Sequence, residues 1–409
     1  MEKNAIVGQS GGPTAAINAS LAGVFEGCKS SGIPTVYGMV NGIAGFLEGN
    51  VVDLGESLKG DSEIELLKRT PSSFLGSCRY KLPNASQNDA DYKTTFQLLK
   101  QFNVGYFFYI GGNDSMDTIA KLSAYAETIK SDIRFIGVPK TIDNDLMVTD
   151  HTPGYGSAAK YIATAIKETV RDSAVYAAKS LTIVEIMGRN AGWLTAAAAL
   201  AEGEDCTGAD MICLPEVPFD IEVFLERIRI LQEKKPNLVV AVSEGIRLKD
   251  GRYVCELSNE ERTVDAFGHT MLTGVARVLE GIVSNRLGIR VRSIELSTLQ
   301  RCAGHLASLT DINEAFQVGY TAAMAASAGE TGKVPVLQRL SYTPYRCTTA
   351  LHPVNGVANF EKTVPLEWID AEAFQMRRVF LDYARPLIQG ELLPSYTAGL
   401  PRHLVLKKS

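Results

Sequence analysis

The chain has 409 residues, 45% hydrophobic and 21% charged, with a formal net charge of −5. That is too long for one small core and points to two domains with the composition of a soluble globular enzyme. The mild acidity offers no nucleic-acid or membrane surface, so an anionic ligand must rely on Lys and Arg placed locally.

Met1 to Asn4 lead straight into a short apolar run and a glycine turn, without a secretory h-region. The cysteines (Cys28, Cys78, Cys206, Cys213, Cys255, Cys302 and Cys347) are scattered, odd in number and without a CxxC pair. They read as reduced thiols of a cytoplasmic protein, not as a disulfide frame or a zinc site. Apolar runs at Ala5–Val7, Thr35–Tyr37, Gly105–Ile110, Phe135–Val138, Thr182–Ile186 and Leu238–Val242 predict strands. Amphipathic stretches at Ala15–Ser30, Asp89–Phe102, Met116–Ile129, Ala158–Asp172 and Ile221–Lys234 predict helices between them. The alternation implies parallel sheets with helices on both faces. The longest apolar helix, around Leu194 to Ala201, is too short to cross a bilayer. A domain boundary is expected after Asp150, at the turn signals His151 to Gly156. From about Val334 the text is irregular, with Pro335, Pro344, Pro353 and Pro365, and closes on one helix expected over Ala371–Tyr383.

Three strand ends carry the chemistry. After the first strand, Gly8 to Pro13 is either a phosphate-binding turn or simply a tight strand–helix connection. It is not GxGxxG, and no P-loop Lys follows. After Tyr106 to Ile110 come Gly111-Gly112-Asn113-Asp114-Ser115 and Asp117, hard oxygen groups that suit Mg²⁺ beside phosphate. The same residues also suit a helix N-cap with an acidic first turn. After Phe135 to Val138 come Lys140-Thr141-Ile142-Asp143-Asn144-Asp145. A carboxylate there can accept a hydroxyl proton, with Lys140 as a point charge for phosphate oxygens. The alternative is an acidic turn closed by Asx hydrogen bonds. Arg79, Arg189, Arg292 and Arg301, taken singly, suit solvated or ion-paired surface sites as well as ligand contacts.

Together these segments resemble the phosphofructokinase family over about the first 320 residues. The matching pieces are Ser10-Gly11-Gly12, Phe74 to Ser77 with Arg79, Gly111-Gly112 with Ser115, and Pro139 with Thr141 to Asp145. Val184 to Arg189, Ser243-Glu244-Gly245 and Leu299-Gln300-Arg301 complete the set. The resemblance implies an α/β protein of two Rossmann-like, doubly wound domains with the active site in the cleft between them. It places a phosphoryl-donor domain at residues 1–150, completed by about 300–345, and a fructose 6-phosphate domain at 151–300. Residues 346–409 would then be a C-terminal extension packed on the core. It further implies a homodimer or homotetramer whose subunits share sites.

Carried over by position, Gly12 binds phosphate through its backbone, and Arg79 bridges the transferring phosphoryl group. Asp143 is the base on the sugar 1-hydroxyl, with Thr141 and Asp145 beside it. Met187, Gly188, Arg189 and Glu244 hold the sugar, and Arg301 and Arg292 clamp its 6-phosphate, Arg292 from a neighbouring subunit. Lys179 replaces an expected Arg from that neighbour. Asn113, where most members carry an Asp, and Asp114 would hold Mg²⁺. Asp114 and Lys140 stand where ATP users carry glycine, the pattern of pyrophosphate-dependent members; a carboxylate and an ammonium group there exclude the α-phosphate. Ile43 stands where ATP users place a Tyr against adenine, and Thr118 replaces a glycine. Ala22 and Glu26 replace two effector-site arginines. The expected reaction is transfer from pyrophosphate to fructose 6-phosphate. The alternatives are an ATP-dependent 6-phosphofructokinase and, outside enzymes, a sugar-phosphate-binding regulatory protein.

Overall fold

The computed structural model describes residues 2–257, 274–358 and 360–406. Its first strands are β1 (Asn4–Gln9), β2 (Val36–Met39), β3 (Val51–Asp53), β4 (Val104–Gly111) and β5 (Arg134–Pro139). Then come β6 (Ser180–Ile186), β7 (Met211–Cys213), β8 (Asn237–Ser243) and β9 (Arg290–Glu295), followed by a hairpin of β10 (Lys333–Tyr342) and β11 (Tyr345–Pro353). The principal helices are α1 (Ile17–Ser30), α2 (Ala90–Gln101), α3 (Asn113–Thr128), α4 (Tyr155–Ser173), α5 (Ile221–Lys234), α6 (Val275–Leu287), α7 (Leu309–Ser327) and α8 (Arg378–Ala384).

Two sheets result. The first runs β3-β2-β1-β4-β5-β10-β11, parallel from β2 through β10 with an antiparallel strand at each edge. The second runs β7-β8-β6-β9 and is wholly parallel. Both are buried on both faces, as the side-chain alternation of a strand requires. Val7, Phe108, Ile136 and Val138 pack on one face of the first sheet, and Ile6, Phe107, Tyr109 and Phe135 on the other. Val184, Ile186 and Ala241 likewise oppose Ile183, Val240 and Val242 in the second. Strand order reverses between β1 and β4 in the first sheet, and at β6 in the second. At such points connections leave to opposite faces and open a crevice at the strands' carboxyl ends. Among the described residues, no helix is long and apolar enough to cross a membrane.

The C-terminal fifth departs from expectation. The proline-marked stretch from Val334 is a long hairpin, and β11 closes the first sheet although its residues were assigned to a separate extension. Pro353 is tolerated at the end of the edge strand β11, and Pro335 lies in β10 beyond its registered pairing with β5 at Lys333 and Ile136. The helix expected over Ala371–Tyr383 is only α8. Before it, Ile369-Asp370 pair with Gln375-Met376 across a turn in which Phe374 has φ 55° and Asp370 Oδ1 accepts from the Ala373 amide at 3.1 Å. That local bond diverts the backbone from the helix its apolar spacing suggests. The Leu194–Ala201 stretch splits into one α turn, Trp193–Ala196, and a 3₁₀ run, Ala197–Ala201.

Helices α1 and α7 cross so closely that backbone meets backbone. A Cβ on Gly319 would stand 2.1 Å from the Ser20 carbonyl oxygen, and one on Gly23 would stand 2.0 Å from the Phe316 carbonyl. Gly319→Leu should therefore cost about 3 kcal/mol or more through overpacking and lower the thermal midpoint by several degrees. A midpoint within about one degree of the parent would show that the helices can separate freely.

Candidate active site

The three strand ends meet. A cavity of about 380 Å³ opens where the carboxyl ends of β1, β4 and β5 face those of β6 and β8. Its walls include Gly12, Arg79, Asn113, Asp114, Lys140, Thr141, Asp143, Asp145, Met187, Gly188, Arg189, Glu244 and Arg301. The volume suits a small polyanion with a sugar.

From β1, the glycine turn needs its glycines. Gly11 has φ +73°, and a Cβ on Gly12 would lie 3.2 Å from Arg301 Nη1. Thr14 Oγ1 accepts from the Ile17 and Ala16 amides at 2.9 and 3.2 Å, so part of the helix start is already satisfied by the chain. From β4, Gly112 itself occupies the N-cap of α3, and no side chain caps it. The capping alternative therefore leaves Asn113 without a task. Its Oδ1 is buried and has no hydrogen-bond partner. Asp114 sits in the first turn, 41% exposed, with Lys81 Nζ 4.0 Å away. Asp117 turns aside to Lys121 at 2.6 Å and does not line the cavity.

From β5, Lys140 is buried, and its Nζ donates to the carbonyls of Gly12 at 2.6 Å and Ser10 at 3.1 Å. Two of its three donors thus staple the glycine turn. Burial lowers its pKa to about 8, opposed by the charge of Asp143. Thr141 Oγ1 donates to Asp143 Oδ2 at 3.2 Å and accepts from the Asp143 amide at 3.1 Å. Asn144 takes φ 55° and is pinned by the Thr152 amide at 3.0 Å and by the Tyr383 hydroxyl at 2.8 Å. The turn closed by these hydrogen bonds thus holds the Asp143 carboxylate on the cavity wall. Burial raises the pKa of Asp143; Thr141, Lys140 and Arg301 pull it back. Asp145 is pushed up to about 7 by burial and by its neighbour Asp143.

The second sheet supplies the facing wall. Gly188, with φ +140°, donates its amide to Glu244 Oε1 at 3.2 Å, and its carbonyl accepts from Ser243 Oγ at 2.5 Å. Burial lifts Glu244 to about 7. The Met187 amide donates to Gln300 Oε1 at 3.3 Å, tying this wall to the turn that carries Arg301. Burial and the adjacent Arg79 charge lower the pKa of Arg301.

Two expected contacts are not brought in by this chain. Arg292 is 53% exposed, 3.8 Å from Asp172, and Lys179 is exposed; neither lines the cavity. Ile43 and Thr118, invoked for donor choice, are also off its wall. Ile43 is packed in the core of the first sheet, and Thr118 Oγ1 bonds to the Asp114 carbonyl at 3.0 Å. In the other direction, Asn190 and Glu361 line the cavity and escaped the sequence reading. Asn190 follows Arg189 directly, and its amide could have been noticed. Glu361 is 171 residues from its partner Asn190, in a stretch without periodicity, and carries no local signal.

The sequence profile of the family described as Phosphofructokinase matches residues 4–326. A Pyrophosphate–fructose 6-phosphate 1-phosphotransferase of Methylococcus capsulatus is 41% identical over 408 residues, covering 99% of this chain and 96% of that protein. The protein of that name from Halomonas elongata is 39% identical, covering 100% and 97%. The crystal structure of a pyrophosphate-dependent phosphofructokinase from Nitrosospira multiformis superposes with a TM-score of 0.88 at 38% identity. It covers 100% of this chain and 98% of that one.

The raised Asp145 pKa gives a signed expectation. In the unfolded chain this carboxyl loses its proton near pH 4, whereas in the folded protein it keeps it to about 7. Its contribution to stability is full below about pH 4 and is lost as pH rises through about 7. Asp145→Asn cannot ionise. Its thermal midpoint relative to the parent should climb by a few degrees between about pH 4 and pH 7.5. Parallel midpoint curves across that range would contradict the burial argument.

Proposed function

The chain belongs to the phosphofructokinase family, and we infer that its cleft transfers a phosphoryl group reversibly from pyrophosphate to the 1-hydroxyl of fructose 6-phosphate. The products are phosphate and fructose 1,6-bisphosphate. The observation that carries this reading is Asp143, a half-buried carboxylate on a pinned turn, with Lys140, Arg301 and Arg79 on the same cavity. A base beside a cluster of cations suits removal of a hydroxyl proton while charge on a phosphoryl group is neutralised.

Each side chain then has a task. Asp143 accepts the proton of the attacking hydroxyl, its elevated pKa making it a competent acceptor, while Thr141 fixes its orientation. The Gly12 backbone and Arg79 lie against the phosphoryl group, and Lys140 holds the glycine turn while leaving one donor for phosphate oxygen. Gly188, Met187, Arg189 and Glu244 form the wall for the sugar, and Arg301 receives its 6-phosphate. Mg²⁺ fits the residues present. The orphaned Asn113 Oδ1 and the Asp114 carboxylate are hard oxygen donors at the strand end and would hold the ion. When bound it would offset the negative charge of the diphosphate. Positioning and charge supply most of the acceleration.

The two halves divide the substrates. The first sheet, including β10 and β11, takes the donor, and the second takes the sugar phosphate. Arg292 and Lys179 reach the 6-phosphate site of a neighbouring copy in a homodimer or homotetramer, which accounts for their exposure here. The reduced cysteines and this chemistry suit a cytoplasmic enzyme.

A donor-by-acceptor activity matrix with Mg²⁺ tests the reading. Pyrophosphate with fructose 6-phosphate should give bisphosphate, and ATP should be a poor donor; brisk turnover with ATP alone would overturn it. Asp143→Asn should lower kcat by about 10²–10⁴ with Michaelis constants changed only a few-fold. Because Lys140 staples the turn, Asp114→Gly is the cleaner probe of ATP exclusion, and it should raise ATP turnover above the parent's.

A further inference from the structure

Glu361 is an acidic group on the cavity wall that the transfer chemistry leaves without a task. It comes from the C-terminal segment, outside the region matched by the family profile. Both of its oxygens accept from Asn190 Nδ2, at 3.0 and 3.1 Å. Asn190 is oriented in turn by Arg247 Nη2, 3.5 Å from its Oδ1, and that guanidinium lies over the Tyr253 ring at 4.0 Å.

The next residue locks Glu361 to the loop bearing the base. The Lys362 amide donates to the Asp145 carbonyl at 2.7 Å, and its Nζ donates to the Thr149 and Asp150 carbonyls at 3.1 and 2.8 Å. Its carbonyl accepts from Trp193 Nε1 at 2.7 Å. Two residues further, the Val364 amide donates to Glu216 Oε1, which also takes the Gly192 amide at 2.8 Å. Position 361 is therefore fixed to both halves of the cleft, near enough for its charge to bear on Asp143 and Asp145.

A carboxylate facing a cleft for polyanions repels phosphate. Its compatible partners there are hydrogen-bond donors, and a carboxylate has acceptor sites to spare after two bonds from one amide. In a phosphorylated ketose those donors are the carbinol hydroxyls between the reacting end and the 6-phosphate. We propose that Glu361, steadied by Asn190 and Lys362, binds the sugar-chain hydroxyls of the acceptor and selects polyhydroxylated sugar phosphates over less hydroxylated ones. The inference rests on the functional reading above.

The test uses the full chain, with Michaelis constants for fructose 6-phosphate and pyrophosphate and the Mg²⁺ activation constant. These are measured for the parent, Glu361→Ala and Glu361→Gln. Glu361→Ala should raise the constant for fructose 6-phosphate at least about tenfold, as loss of a charged hydrogen bond implies, and leave that for pyrophosphate within about twofold. Glu361→Gln, which keeps one acceptor oxygen and the side-chain shape, should fall between. The parent should also prefer fructose 6-phosphate over a 3-deoxy or 4-deoxy analogue, and Glu361→Ala should lose most of that preference. An unchanged fructose 6-phosphate constant overturns the proposal, as does an effect confined to pyrophosphate or to Mg²⁺ activation, which would mark a metal ligand. Absence of turnover by the parent would sink the functional reading first. Normal parent turnover with indifferent Glu361 variants sinks only this inference. The thermal midpoint of Glu361→Gln separates misfolding from lost binding.

Discussion

The buried ammonium group of Lys140 ties the glycine turn after β1 to the loop after β5. A charge without water must be met by acceptors, and the Ser10 and Gly12 carbonyls meet it. Burial brings its pKa down to about 8, while the nearby Asp143 carboxylate works to keep the proton on. The same residue thus fixes backbone geometry and offsets the charge of Asp143. Remove the ammonium, and the turn under Arg301 loses its anchor while Asp143 loses a counter-charge. Strand order alone makes a crevice; this staple sets its dimensions.

The other side of the loop after β5 is braced by residues remote in sequence. Arg339 reaches Asp150 at 2.8 Å, and His151 sits between Asp150 at 2.7 Å and Glu314 at 2.6 Å. Glu314 also accepts from Tyr345. Despite burial, the two carboxylates raise the His151 pKa. Together with Lys362 on the carbonyls and Tyr383 on Asn144, these bonds hold residues 143–151 from the edge hairpin, α7 and α8. A loop with two of its residues, Asn144 and Val148, in a left-handed conformation needs such overdetermination. The C-terminal third is therefore part of the active site's scaffold.

This explains what the sequence could disclose. Strands β1, β4, β5, β6 and β8 were legible because both faces are buried, so each reads as an uninterrupted apolar run. Ile221–Lys234 was legible to the residue, as Asp220 caps it and its apolar positions recur at helical spacing. The strand ends followed from that frame, and with them Asp143, Lys140 and Asp114. The hairpin was hidden because an edge position tolerates proline, which in a central strand argues against pairing. Ile43 and Thr118 are buried off the cavity, a placement that position along the chain alone does not disclose. The Lys140 staple and Glu361 are tertiary facts, created only when distant turns converge.

The charges on the cavity also set the order in which its chemistry becomes favourable. Asp143, Asp145 and Glu244 all lie where burial pushes carboxyl groups upward, and the Asp143 charge raises the other two further. Arg79, Arg189 and Arg301 sit on the same cavity. An arriving phosphate group engages the guanidinium groups and adds negative charge, and it displaces water. Both effects raise the affinity of Asp143 for a proton. In the proposed reaction its basicity thus grows as the substrates fill the cleft, and proton removal from the sugar hydroxyl becomes easiest when the phosphoryl group is in place.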